Sequence, residues 1–202
     1  MNLLSRCKHF YSSSPLPVFE IARIISIFCL SLLMFTNIFA QSPSPVPKVF
    51  TEYDRFRNET TTGVSIMLEN YKVEIPFGHM QEFLMLLAGF THSGKHMTEQ
   101  PTTVRLAFQS QAINWRFGEG AQLDAIVDDA LIAFGPMDYS RKNLGAGHIE
   151  FLRLDVPTRT FLKLARGKTI ELRIGRKEMK LSEGHIAFLA TLANQITGPS
   201  KR

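Results

Sequence analysis

The chain has 202 residues, of which 45% are hydrophobic and 20% charged, with a formal net charge of +5. That composition belongs to a globular fold and excludes collagen-like, coiled-coil, low-complexity and mostly disordered chains. Two cysteines, Cys7 and Cys29, are too few for a disulfide-framed miniprotein or a cysteine zinc cluster.

Residues 24–35, IISIFCLSLLMF, form an apolar block preceded by Arg6, Lys8 and Arg23 and followed by Ala40, Gln41 and the stretch SPSPVP. A basic start, a short apolar core and a small residue ahead of a polar stretch mark a secretory signal, with cleavage expected after Ala40. The alternative is an uncleaved anchor, but a membrane span needs about 20 apolar residues and this block is shorter. If retained, the segment would be the chain's membrane contact. Bulky Phe28 before Cys29 argues against lipidation. Residues 1–40 carry three basic residues and one acidic residue, so the remainder has a net charge of +3 and no cysteine. So small an excess gives no reason to expect nucleic acid, which calls for clustered Lys and Arg. A thiol-free chain also excludes a disulfide or a cysteine nucleophile in the processed product.

Residues 41–48, QSPSPVPK, read as an extended Pro/Ser spacer. One domain is expected over residues 49–197, with 198–202 as a tail. Residues 62–68 place Val64, Ile66 and Leu68 on one face of a strand, and residues 83–92 form a longer apolar run ending at Ser93-Gly94. Residues 103–110 alternate Val104, Leu106 and Phe108 against Arg105, Ala107 and Gln109, the period of a half-buried strand. Strands at 123–127 and 131–134 flank a tight reversal at Asp128-Asp129-Ala130. Residues 148–156 set Glu150, Leu152, Leu154 and Val156 on one side. Strands at 169–174 and 177–181 enclose Gly175-Arg176, a two-residue hairpin signal. Pro157 opens a short helix that stops at Gly167. Ser182 then caps a second helix over 182–195, whose apolar stripe (Ile186, Leu189, Ala193, Ile196) must cover a sheet. The pattern predicts a strand-rich α+β fold: a mainly antiparallel sheet or sandwich, with a short helix and a C-terminal amphipathic helix packed on it. Residues 94–101 and 136–147 read as long loops.

Chemical motifs are sparse. His92 and His96 have a spacing that suits zinc on a helix, but Gly94 between them predicts a turn, and Lys95 repels a cation. No metal and no cofactor is expected. The nucleophile-elbow pattern is absent. Asp128 and Asp129, with Asp124 nearby, fit a turn better than an acid–base pair, because adjacent strand residues point to opposite faces. Gly145-Ala146-Gly147 lacks the Lys-Ser/Thr of a phosphate loop. Asn58-Glu59-Thr60 matches the glycosylation acceptor pattern.

Two stretches mix aromatics with cations, as binding hot spots do. Tyr53-Asp54-Arg55-Phe56-Arg57 opens the domain, and Trp115-Arg116-Phe117 holds the single tryptophan. Candidate contact residues are therefore Tyr53, Arg55, Arg57, Trp115 and Arg116. A second reading puts Trp115 and Phe117 in the core with Arg116 turned outward.

The domain ends resemble a family of small exported proteins of soil bacteria whose function is unknown. The resemblance rests on Tyr53, Asp54, Phe56, Thr60 and Thr61 at the start. At the end it rests on the TFLKLA run at 160–165, Gly167, Lys168, Glu171, Gly175 and the KLS at 180–182. Asn58 departs from the pattern, where an acidic or other polar residue is expected. The resemblance implies a bacterial, exported, single-domain protein and supplies no catalytic residue.

Together these features lead to the expectation of an extracytoplasmic, non-enzymatic binding or envelope-associated module with an unidentified ligand. One alternative is a hydrolase pairing His92 or His148 with Asp128 or Asp129. Another is a structural protein that assembles by edge-strand pairing.

Overall fold

The computed structural model describes residues 49–76, 78–145 and 147–198. The expected signal (1–40), the spacer (41–48) and residues 199–202 of the tail lie outside the described residues. Ten strands and two helices follow in order: β1 Val49–Asp54, β2 Glu59–Ile75, β3 Gly78–Ser93, β4 Thr103–Ala112, β5 Gln122–Val127, β6 Ala130–Pro136, β7 Asp138–Asn143, β8 His148–Pro157, α1 Thr158–Ala165, β9 Ile170–Ile174, β10 Lys177–Lys180 and α2 Glu183–Thr197. The fold is the expected strand-rich α+β class, with two antiparallel sheets. A six-stranded sheet runs β1-β2-β3-β4-β8-β7 and a four-stranded sheet runs β10-β9-β5-β6.

Period-two patterning produces the layers directly. Val64, Ile66, Leu84, Leu86, Val104, Leu106, Phe108 and Leu152 on the large sheet belong to one core with Leu123, Ala125, Ile170, Leu172 and Ile174 of the small sheet. The stripe of α2 closes that core: Leu189, Leu192, Ala193 and Ile196 are buried and the helix lies against β2, with β1 and β3 beside it. Ser182 caps α2 as expected, its Oγ accepting from the His185 N–H at 3.2 Å. The ring Nδ1 of His185 accepts in return from the Ser182 N–H at 3.4 Å. The reversal at 128–129 has both residues at positive φ (47° and 68°), the signature of a type I′ hairpin. Gly175, at φ 58°, opens the β9–β10 hairpin. Among the described residues no helix is long and apolar enough to cross a membrane.

Two strands occupy places read as non-strand. β7 lies within the stretch expected to be a loop, and β1 precedes the first expected strand. Both are edges with little buried surface. β2 also continues past Leu68, through a register shift between Met67 and Glu69, and stays paired with β3 to Ile75.

On the outer face of the large sheet Gly63 and Gly89 sit opposite one another across β2 and β3. Phe50 lies across Gly63 from β1, its ring over the Gly63 backbone, and leaves Gly89 uncovered. A Cβ on Gly89 would come within 2.9 Å of the Thr62 carbonyl oxygen, and one on Gly63 within 2.9 Å of the Ala88 carbonyl. The strands would have to part. Gly89→Ala is therefore expected to cost about 1–3 kcal/mol, read as a lower urea midpoint; an unchanged midpoint would show that the strands yield freely.

Candidate functional site

The anticipated contact residues fall in two separate places. Tyr53, Arg55 and Arg57 lie at the β1–β2 tip, level with the His92 end of β3, since Tyr53 pairs with Thr60 and Thr60 with His92. Trp115 and Arg116 follow β4, near Glu82 at the far end of β3. Ten residues of strand separate those ends, about 33 Å.

At the tip, Asp54 Oδ1 accepts from the N–H groups of Phe56 (2.8 Å) and Arg57 (3.2 Å), an Asx turn that fixes the loop. Asn58, at φ 52°, completes the reversal and its side-chain oxygen accepts from the Tyr53 hydroxyl at 3.0 Å. The turn throws Phe56 outward, leaving it 87% exposed, with the Arg55 guanidinium 4.9 Å from its ring centre and Lys95 5.3 Å from that of Tyr53. Arg57 leans toward a groove of about 620 Å³ on the outer face of the large sheet. Leu87, Gly89 and Ala107 belong to its floor, while Phe50, Thr91 and the Arg105–Asp155 pair also line it. Arg105 Nε and Nη2 donate to the two Asp155 oxygens at 2.7 and 2.8 Å, so this pair is already satisfied. The side chain of Arg57 is 77% exposed, and its ion pair among the described residues is the 3.7 Å contact with Asp54. An apolar floor with a few convergent polar groups is what a small-molecule site requires.

At the other place Trp115 stays at the surface while Arg116 turns inward. Trp115 is 38% exposed, its ring stacked on His148 with centres 3.7 Å apart and the Arg141 guanidinium 5.1 Å from its centre. Arg116, expected as an outward contact residue, is instead enclosed, its side chain 12% exposed. Its Nη2 donates to Glu82 Oε2 at 2.6 Å and its Nη1 to Glu69 Oε2 at 3.2 Å; the Tyr71 hydroxyl also lies against it. Lys177 of β10 meets the other oxygen of Glu69 at 2.8 Å, joining the small sheet to the large one. The reason is topological: residues 113–121 pass from one sheet to the other, and the crossing's amides need partners. Glu82 Oε1 accepts from the Ile113 N–H at 2.8 Å. Glu150 accepts from the N–H groups of Arg116 (2.8 Å) and Phe117 (3.0 Å) and from the Tyr139 hydroxyl (2.9 Å). These carboxyl groups act as anchors for the crossing. Glu150 carried a sequence signal, standing on the same strand side as Leu152, Leu154 and Val156.

Several groups are tuned by these contacts. Burial works to raise the Glu82 carboxyl, but donation from Ile113, Arg116 and Tyr71 holds it below its ordinary 4.5. Desolvation, with the hydrogen bond to Glu150 and that group's charge, pushes Tyr139 up to about 12. Donation from Arg105 lowers Asp155, and backbone donation from Thr169, ahead of Lys168, lowers Asp128, each below 3.8. Burial lowers His185 below 6.5. Each of these depressed groups binds its proton more weakly in the folded chain. Each therefore contributes stability that is complete above its ordinary value and is lost as pH falls through its lowered folded value. The urea midpoint is expected to decline first below pH 6.5, through His185, and again below pH 4.5 and 3.8, through the carboxylates. A midpoint flat from pH 7 to 3 would contradict this.

His92 lies at the end of β3, His148 at the start of β8, and Asp128, in the β5–β6 turn, is engaged with the amides of Lys168 and Thr169 just ahead of β9. The histidine–carboxylate pairing of a hydrolase is not formed among the described residues, and no group of three or more His, Cys, Asp or Glu is placed there to hold a metal ion. Comparison of the chain with protein-family models, curated proteins and solved structures finds no match.

Proposed function

We propose that the protein is an exported, non-enzymatic binding module that captures an envelope component in the outer groove of its six-stranded sheet. The observation carrying this reading is the conjunction, in one groove, of a bare Gly89–Ala107 floor, the exposed Phe50 ring and the weakly engaged Arg57 cation. The floor admits close approach of a ligand to the backbone, Phe50 offers an apolar wall, and Arg57 offers a fork for a carboxylate or phosphate. The fitting ligand has an anionic group beside an apolar or ring-shaped body. Export rests on the basic-plus-apolar segment of residues 1–40, and the separation of His92, His148 and Asp128 favours binding over hydrolysis.

The test is co-sedimentation with bacterial cell-wall fragments, with anionic-lipid vesicles run in parallel. Wild-type protein is expected to pellet with the wall fragments. Arg57→Ala and Phe50→Ala should each weaken retention about tenfold, the equivalent of about 1.4 kcal/mol. Arg57→Ala should leave the melting temperature almost unchanged, as surface substitutions do. Failure of the wild type to pellet with the fragments, or undiminished retention of both variants, would overturn the proposal.

A further inference from the structure

The two sheets have four edges, and their sequences differ in charge. β1 (VFTEYD) carries two acids and no base, β7 (DYSRKN) carries Asp138 with Arg141 and Lys142, and β10 (KEMK) carries Lys177 and Lys180 with Glu178. Charges along an edge are the usual guard against another strand adding to it. β6 (ALIAFGP) carries none. Leu131 on this strand is 66% exposed, and its cross-strand neighbour Ile126 is also exposed. Both line a shallow groove of about 560 Å³ on the outer face of the small sheet. Of the other charges there, Arg173 pairs with Asp124 at 2.6 Å and Lys180 with Glu171 at 3.8 Å, and Glu178 stands on β10, at the opposite edge of the sheet from β6. The part of that face nearest β6 is therefore apolar and neutral.

The hairpin geometry decides which backbone groups the edge presents. In a two-residue type I′ hairpin the residues flanking the turn form the hydrogen-bonded pair, here Val127 and Ala130. Ala130 and Ile132 thus turn their amides toward β5, and Leu131 and Ala133 turn theirs away from it. Pro136 then ends the run, because it has no N–H to offer.

We infer that β6 is a self-pairing edge that joins two copies of this chain into a dimer, extending the four-stranded sheet to eight strands across a two-fold axis at Ile132. In that register Leu131 faces Ala133 of the second copy, and the reverse pair repeats the contact. Each pair exchanges two backbone hydrogen bonds. Ile132 meets its own counterpart on the inner face, and Asp129 faces Gly135 instead of another acid. A two-fold places an edge against itself, so like charges oppose one another on β1, whereas β6 brings none. An uncharged edge meets itself without that opposition, which makes a second copy the fitting occupant. The contact is one short strand wide, so a weak, reversible dimer is expected.

Sedimentation velocity of the full chain over a micromolar concentration series tests this. The wild type is expected to pass from monomer to dimer, and Leu131→Lys to shift that transition at least tenfold in concentration with an unchanged circular dichroism spectrum. Ala133→Lys gives the same result from the neighbouring open position, and serves if the first variant does not fold. A wild type that stays monomeric throughout overturns the proposal. So does association that survives both substitutions, since it would then arise from another edge or from the apolar segment at 24–35.

Discussion

Glu150→Ala is expected to lower the melting temperature by roughly 8–16 °C, given about 4 kcal/mol of lost stability and 2–4 °C per kcal/mol for a domain of this size. Glu150 is 1% exposed and satisfies three donors from two chain segments. Truncation orphans the N–H groups of Arg116 and Phe117 and the hydroxyl of Tyr139, and each buried unsatisfied group costs about 1–3 kcal/mol. Glu150→Gln should fall between, because one carbonyl oxygen remains while the new amide N–H₂ points at existing donors. Tyr139→Phe removes a single donor and should cost about 1 kcal/mol. Thermal melts followed by circular dichroism decide the matter. A Glu150→Ala protein melting within about 2 °C of wild type would mean that the crossing is held by other contacts.

Arg116→Ala is expected to cost about 3 kcal/mol, because breaking an enclosed ion pair from one side leaves the other charge uncompensated. Glu82 and Glu69 would then face one another across the space vacated by the guanidinium, with Lys177 left to neutralise Glu69. Arg116→Lys should recover little, since an ammonium cannot reach two carboxylates and a phenol with the fork that the planar group provides. The distinguishing measurement is a double-mutant cycle: with Glu82→Leu in the background, removal of Arg116 should cost markedly less, giving a coupling of about 1–3 kcal/mol. Strict additivity would refute the ion pair as the reason for the loss. The residue would have appeared interchangeable with Arg55 and Arg57 from its chemistry alone. The difference lies in where the chain carries it.

That difference marks the limit of what was legible in the residues. β4 could be read because burial on one side and Arg105 and Gln109 on the other impose a period of two. The β9–β10 hairpin could be read because Gly175 supplies a local backbone rule. β7 could not, because Tyr139 is its only half-buried residue, and an edge strand held by β8 needs no apolar period of its own. Nor could the continuation of β2 past Leu68, where Glu69, Asn70 and Lys72 look like loop and pairing with β3 overrides them. The exposure of Tyr53, Arg55 and Arg57 at the β1–β2 tip was legible because a local Asx turn holds them out. The groove was not, because Phe50, Gly89 and Asp155 lie far apart in the chain and only register brings them into adjacent rows. Arg116 turned inward and Trp115 stayed at the surface, the inverse of the reading that put Trp115 in the core, because residues 113–121 form a crossing, where strand alternation does not apply.

The pairing scheme also constrains how the polypeptide reaches its native state. Six of the eight strand pairings described join consecutive strands, and just two span long intervals, β4 with β8 and β5 with β9. Hairpins close in microseconds, whereas distant partners must first meet against loop-closure entropy. The meander from β1 to β4 and the short ribbons β5–β6, β7–β8 and β9–β10 are therefore expected to form early and interconvert. Committed folding awaits the union of β4 with β8, so substitutions along that seam, such as Phe108→Ala, should slow refolding more than they hasten unfolding.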